Sequence, residues 1–244
     1  MVEKARFMAS SILVLAAFTG KVSMLLFVVF LFIGSLELVQ LGLSEPAALA
    51  WDGLLSVVFF AQHSGMIRRR FRASLSSIVP VHYHDATFTI ISSLVITTLV
   101  VSWQSSATLL YELPGLSRWL SRGVFFLAIA GIVWGVYALR SFDPFGRAAI
   151  RAHLRGKPLR PQQFTIRGPY LWVRHPLYFF VLLLVWSCPV VTADRLLFNS
   201  LWTVWIFVGT VLEEEDLLAD IGDAYRDYQR RVPMLVPWRV PGDS

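Results

Sequence analysis

The stretch Leu177-Tyr-Phe-Phe-Val-Leu-Leu-Leu-Val-Trp-Ser-Cys-Pro-Val-Val-Thr192, followed by Ala193-Asp-Arg195 and then Leu196-Leu-Phe-Asn-Ser-Leu-Trp-Thr-Val-Trp-Ile-Phe-Val-Gly-Thr-Val-Leu212, decides the fold. Each arm is nearly free of charge and is close to the roughly 18–20 residues that cross about 30 Å of hydrocarbon as a helix. The polar triplet between them is too short for a separate element, so residues 177–212 read as a transmembrane helical hairpin with a turn at 193–195. Whatever precedes Leu177 and whatever follows Leu212 then comes to the same membrane face.

Four further apolar stretches extend the pattern upstream, at 22–43, 47–66 (interrupted by Asp52), 86–103 and 123–139. The composition agrees: 56% of the 244 residues are hydrophobic, 16% are charged, and the mean hydropathy is +0.60. Globular chains are about half apolar and roughly a quarter charged, so a soluble globule is excluded. The 18 Phe, 9 Trp and 7 Tyr exclude disorder. The single cysteine, Cys188, excludes a disulfide scaffold within the chain and a zinc–cysteine cluster, and reads as a small core residue. The expectation is an all-α, polytopic membrane bundle of about six transmembrane helices. Residues 1–140 would hold four spans, and 141–244 would form a C-terminal module with the hairpin 177–212 and an amphipathic helix over 213–232. The apolar leader 8–18 is too short to span by itself; it suits an interfacial helix or the end of a long tilted first span, with a signal peptide as the remaining alternative.

With the N-terminus placed in the cytoplasm and the chain alternating sides, all of the 22 Lys and Arg except Arg118, Arg122 and Arg195 fall in cytoplasmic segments. The charge bias and the span count thus support each other. Both termini are expected in the cytoplasm. The net charge of +6 is accounted for by this topology and by attraction to anionic lipid, with no call for nucleic acid.

Outside the spans, two cytoplasmic pieces flank the hairpin. One ends Ile166-Arg-Gly-Pro-Tyr-Leu-Trp-Val-Arg-His-Pro-Leu-Tyr178; the other opens Glu213-Glu-Glu-Asp216 and places Leu217, Ile221, Tyr225, Tyr228 and Val232 at helical spacing. Hairpin geometry sets Arg174, His175 and Tyr178 beside Glu213 and Glu214. A cation, an imidazole, a phenol and two carboxylates suit a zwitterionic ligand such as S-adenosylmethionine: its carboxylate would meet Arg or backbone N–H groups, its ammonium and ribose hydroxyls would meet Glu, and its adenine would meet aromatic rings.

Those motifs, together with Gly222-Asp-Ala-Tyr-Arg-Asp-Tyr228 and Arg231-Val-Pro-Met-Leu-Val-Pro237, resemble the C-terminal cofactor module of the isoprenylcysteine carboxyl methyltransferase superfamily, which is shared with membrane phospholipid N-methyltransferases. Upstream, Gln62-His-Ser64, Ser92-Ser93, Asp143-Pro-Phe-Gly146 and Cys188-Pro-Val-Val-Thr192 resemble its bacterial methanethiol S-methyltransferase branch. The resemblance implies an S-adenosylmethionine pocket lined by Tyr170, Arg174, His175, Pro176, Tyr178, Glu213 and Glu214 and closed by Tyr225, Tyr228 and Arg231. It implies methylation of a small hydrophobic thiol, with a lipidic acceptor (a prenylcysteine carboxylate or a phospholipid amine) or a non-catalytic membrane protein of the same fold as alternatives. Three positions depart from the branch: Ser141 where a His is usual, His84-Asp85, and Phe179-Phe180.

Thiol methylation needs a thiolate, and a free thiol near pKa 8.5 is mostly protonated at neutral pH. His63 is the leading candidate base and Asp143 a second. The run His82-Tyr-His84-Asp85 lacks a completing ligand, so no metal is expected. Gly131-x-x-x-Gly135 permits close helix packing, either inside one subunit or between two. No Walker loop, Rossmann fingerprint or Gly-x-Ser-x-Gly elbow occurs, which removes nucleotide-hydrolase and serine-esterase readings.

Overall fold

In the computed structural model the described residues are 2–139, 142–158 and 165–239. In chain order the elements are α1 (Val2–Ile33), α2 (Glu45–Ile67), α3 (Arg69–Leu75), α4 (His84–Ser102), β1 (Leu109–Glu112), α5 (Gly115–Leu139), α6 (Arg147–Leu154), α7 (Pro176–Trp186), β2 (Val190–Thr192), α8 (Ala193–Ile221) and α9 (Asp223–Arg231). Single 3-10 turns at Val81–Tyr83 and Gly168–Leu171 precede α4 and α7. The chain divides into two compact units, one formed by residues 1–106 with 143–161, the other by 107–142 with 162–244.

In the first unit, α1 and α2 both pack on α4. Ala9, Ala16, Ser23 and Phe30 recur every seven residues of α1 and are all buried, and the small side chains of the first three let the neighbouring helix approach. Ala9 and Ala16 join Tyr83, Ala86 and Ile150 in one apolar cluster, which ties α1 to the start of α4 and to α6. Phe30 closes the other end of the stripe, edge-on to Trp103 at 5.6 Å.

The first span differs from its expected position. The apolar leader and the next stretch form one continuous helix, whose membrane-length portion is Arg6–Ile33. The helix stops at Ile33, ten residues earlier than the apolar run suggested. Beyond it the chain is fastened as a loop, with Ser35 Oγ donating to the Trp103 carbonyl at 2.9 Å and Leu41 N–H donating to Gln104 Oε1 at 3.0 Å.

Four helices among the described residues are long and apolar enough to cross a membrane: Arg6–Ile33, Val81–Ser102, Gly115–Leu139 and Ala193–Ile221. The other two expected stretches are helical but different. α2 has 23 residues diluted by Glu45, Asp52, Gln62 and His63. α7 has 11, about 16 Å at 1.5 Å per residue, half the hydrocarbon thickness.

In the second unit α7 lies against α5. A Cβ on Gly131 would stand 2.3 Å from the Phe180 ring, and one on Gly135 would stand 2.7 Å from Leu177. The two glycines therefore make the seat for α7, and the Gly-x-x-x-Gly spacing serves packing inside this chain. Phe180, one of the departures noted above, is the side chain that fills the groove.

The reversal between α7 and α8 is also relocated. Residues 193–195 are the first turn of α8, and the chain turns back over Ser187–Thr192, where Pro189 stops helix propagation and Val190-Val-Thr192 pair antiparallel with β1. Leu109 faces Thr192 and Glu112 faces Val190 in that ribbon, a feature the all-α expectation lacked. The expected helix over 213–232 is split: α8 carries the acidic run to Ile221, Gly222 turns at φ +71°, and α9 starts at Asp223. That positive φ suits glycine.

Candidate functional site

The hairpin's open end is built by the N-terminus of α7 and the last turns of α8. Pro176 occupies the first helical position, where a missing N–H costs nothing, and holds His175 and Arg174 just ahead of the helix. On α8 the buried face descends through Phe198, Trp202, Ile206 and Thr210. Continuing at 3.6 residues per turn brings Glu213 and Glu214 opposite α7, about 100° apart on the helix. The antiparallel register is marked by Tyr178 Oη donating to Glu213 Oε2 at 2.7 Å and by Trp186 Nε1 donating to Thr203 Oγ1 at 2.9 Å.

The two glutamates part ways here. Glu214 is 12% exposed and accepts from four side chains. Arg174 grips it with Nε to Oε1 at 2.5 Å and Nη2 to Oε2 at 2.8 Å. His175 Nε2 lies 3.1 Å from Oε1, Tyr225 Oη donates to Oε1 at 3.2 Å and Gln229 Nε2 donates to Oε2 at 3.0 Å. Glu213 is 44% exposed, bonded by Tyr178 and 4.0 Å from His175 Nδ1.

Glu213 faces a cavity of about 680 Å³ lined by Tyr170, Arg174, His175, Pro176, Tyr178, Tyr225 and Tyr228, with Leu139, Phe142, Leu177, Leu217 and Ile221 as its apolar wall. This volume lies in the usual range for small-molecule sites, about 300–1,000 Å³. The His175 and Tyr178 rings stack at 5.7 Å and 14°. Thr165 and Asp220 also line the cavity. Asp220 was missed by the sequence reading; its signal was the spacing from Glu213 through Leu217, at i, i+4 and i+7 on one face of α8.

Three phenols beside the cavity keep their protons. Burial, aided by the Glu213 carboxylate, pushes Tyr170 up to about 12. Burial and then the Glu214 carboxylate raise Tyr225, while burial and then Tyr225 raise Tyr228. At neutral pH all three are donors, and Tyr228 Oη donates to the Tyr170 carbonyl at 2.6 Å.

Two expected pocket residues stand apart from the lining. Glu214 is turned toward Arg174 and α9. Arg231 is exposed, its Nε donating to the Asp227 carbonyl at 3.2 Å, because the break at Gly222 sets α9 with Tyr225 and Tyr228 inward.

His63 and Asp143 belong to the first unit. The His63 ring sits between Phe59 and Phe88, at 5.1 and 4.9 Å. One turn along the same interface Gln62 Nε2 donates to Ser92 Oγ at 3.0 Å, so the Gln-His-Ser and Ser-Ser motifs meet where α2 packs on α4. Asp143 Oδ2 accepts the Ala148 N–H at 2.6 Å, tying the Asp-Pro-Phe-Gly turn to the start of α6. His84 Nε2 lies 3.0 Å from the Val79 carbonyl and Asp85 pairs with Arg72 at 2.9 Å. Ser141 lies outside the described residues.

The sequence is similar to methyltransferases from several bacteria. It is 36% identical to methanethiol S-methyltransferase 1 of Bradyrhizobium diazoefficiens over 80% of this chain and 69% of the relative. It is 34% identical to the methanethiol S-methyltransferase of Pseudomonas deceptionensis over 83% and 79%, and 33% identical to that of Mycobacterium tuberculosis over 74% and 75%. No family model matches the chain. No solved structure matches it.

Proposed function

The chain belongs to the methanethiol S-methyltransferase family and is a methyltransferase, and on that premise we propose that it moves a methyl group from S-adenosylmethionine to a small hydrophobic thiol, methanethiol, giving dimethyl sulfide. The observation that carries this reading is the cavity at the open end of the hairpin, with the half-exposed Glu213 carboxylate set among phenols and an apolar wall.

The donor set fits the proposed methyl donor. Glu213 and Asp220 offer acceptors for an ammonium and for ribose hydroxyls, the protonated Tyr170 offers an O–H group, and Phe142 with the tyrosines offers ring faces for adenine. When bound, S-adenosylmethionine supplies an electrophilic methyl on a sulfonium. The chain's own work is to fix geometry, which contributes several kcal/mol in well-aligned displacements, on the order of 7 or more in the best cases. Leu139, Leu177, Leu217 and Ile221 keep that part of the cavity apolar, so a thiolate held there is not shielded by water. The Asp143 carboxylate already accepts the Ala148 N–H, so it is read as shaping the turn before α6.

We place the protein in a bacterial inner membrane, supported by the four membrane-length helices, and put both termini in the cytoplasm because Lys and Arg collect on one side when α2 and the α7–β2 arm also count as crossings. Such a site suits an acceptor that partitions from the bilayer. The test is headspace analysis of cells expressing the chain and fed methanethiol. Dimethyl sulfide should accumulate with the wild type and fall to background with Glu213→Ala. Equal release from both would remove the cavity from the reaction, and methylated lipid without dimethyl sulfide would transfer the reading to a lipidic acceptor.

A further inference from the structure

Arg174 and Glu214 stand in the motifs that the resemblance assigns to cofactor binding, yet their polar atoms are directed at the protein's own C-terminal segment. The Arg174 side chain makes the two bonds to Glu214 described above, and its Nη1 donates to the carbonyls of Gln229 at 3.0 Å and Val232 at 2.5 Å. Four of the guanidinium's five N–H donors are thereby used. The backbone alongside joins in: Arg174 N–H donates to the Pro233 carbonyl at 2.8 Å and His175 N–H to the Met234 carbonyl at 3.1 Å. Glu214 takes its remaining bonds from His175 and from Tyr225 and Gln229 of α9. The ion pair is secluded, with Arg174 10% and Glu214 12% exposed.

The segment held this way runs from α9 through Leu235. Tyr225 and Tyr228 of α9 form one wall of the cavity, and Tyr228 is fastened to the Tyr170 carbonyl on the other side. Beyond the buried Pro233 and Leu235, the outer face of the segment adds little: Asp223, Arg226, Asp227 and Arg230 are exposed, and among the described residues Asp223 pairs with Arg226 and Asp227 with Arg230. A short helix of nine residues has little stability of its own, so its position depends on the contacts to Glu214, Arg174 and Tyr170.

We infer that Arg174 and Glu214 form an internal latch that holds residues 223–235 as a strap across the methyl-donor cavity, acting on the donor through the strap while Glu213 contacts it directly. The pair are positioning residues. On this inference the strap sets how long the donor stays, because lifting α9 takes the Tyr225 and Tyr228 wall away from the cavity. Gln229 belongs to the same device, since its side chain bonds Glu214 and its carbonyl bonds Arg174. The binding half of the inference rests on the donor cavity proposed above; the structural half does not.

The test is hydrogen–deuterium exchange on purified full-length protein without donor, paired with S-adenosylmethionine dissociation rates. Glu214→Gln and Arg174→Lys should raise exchange over 223–235 by at least about tenfold while α5 and α7 keep wild-type protection, because lysine cannot reproduce a bidentate fork together with two carbonyl bonds. Glu214→Gln, which stands outside the cavity lining, should also release the donor faster and raise its KM, with kcat at saturating donor retained within about twofold, the pattern of lost uniform binding. Glu213→Gln should weaken the donor with the strap at wild-type exchange. Gln229→Leu removes one bond and leaves the ion pair, so it should loosen the strap by a smaller factor; it remains informative if the charged-residue variants fail to fold. Wild-type exchange over 223–235 in Glu214→Gln overturns the latch. So does a loss of kcat in Glu214→Gln with KM unchanged, which would make the residue a direct participant. Absence of S-adenosylmethionine binding in folded wild type would instead sink the proposed function, while the donor-free exchange still decides the latch.

Discussion

The hairpin α7–α8 carries polar residues at both of its ends, and they serve opposite purposes. At the closed end Asp194, Arg195, Asn199 and Cys188 are all buried. Thr192 Oγ1 donates to Asp194 at 2.6 Å, and the Asn199 amide is best satisfied with its nitrogen toward the carbonyls of Val185 and Arg195, at 3.3 and 3.2 Å. These groups seal the reversal and carry β2 against β1. At the open end one carboxylate, Glu214, is sealed in the same manner, while its neighbour Glu213 stays nearly half exposed beside a cavity. Charge buried in a helical hairpin therefore does not mark a site by itself. The distinguishing feature is a polar group held in place by one partner and left open to a ligand on its other side.

Gly131→Val should produce the largest effect, because both ends hang on α7 and the new side chain would enter the space of the Phe180 ring. Overpacking costs about 1–3 kcal/mol, and here the upper end is expected. Thermal unfolding in detergent should fall sharply and donor binding should fall with it; an unchanged melting temperature would show that α7 is not seated on Gly131. Asp194→Ala is next, removing the carboxylate that accepts from the half-buried Thr192 hydroxyl, a hydrogen bond to a charged group that contributes about 1.5–3 kcal/mol. Its melting temperature should drop while S-adenosylmethionine affinity stays within about twofold of wild type, and a large loss of affinity would erase the distinction between the two ends.

Tyr225→Phe deletes one of the bonds to Glu214 at about 0.5–1.5 kcal/mol. It should weaken the donor by a factor of up to about ten, read by titration calorimetry. The smallest effect concerns pH. Tyr170 has its folded pKa raised to about 12 from an ordinary value of 10.0, so the folded state holds that proton more tightly than the unfolded chain. The contribution is present below pH 10 and is lost as pH rises toward 12. Difference absorbance at 295 nm, wild type against Tyr170→Phe, should show the missing phenolate step above pH 11, and a step at 10 would mean that Tyr170 is solvated.

Much of this arrangement could be read in the residues. Two long apolar arms around a polar triplet gave the hairpin, and Arg174-His-Pro with Glu213-Glu214 at its ends gave the meeting of cation and carboxylates. Division of labour within the glutamate pair was not legible, because adjacent helix positions differ by about 100° and only the packing of α8 decides which one faces the cavity. Asp220 was not legible because it lies outside the contiguous acidic run 213–216 and joins Glu213 only through the shared face of α8. The Gly222 break was visible as a glycine inside a helical pattern, a recognised warning, yet the apolar spacing across it argued for continuity. β1 has four residues and β2 three, too few for alternation to register. The span positions shifted for a related reason: hydropathy locates apolar mass, whereas helix ends follow local hydrogen bonding such as the Ser35 and Gln104 contacts beyond α1.

The central claim is that Glu213, through its open side, holds the methyl donor in the cavity at the hairpin's open end. Titration calorimetry of S-adenosylmethionine into purified wild type and Glu213→Gln tests it most directly. A charge-assisted hydrogen bond contributes about 1.5–3 kcal/mol, so saturable binding to the wild type should weaken by roughly 10- to 100-fold in the variant, with its melting temperature unchanged. Equal affinity in the two proteins would contradict the account.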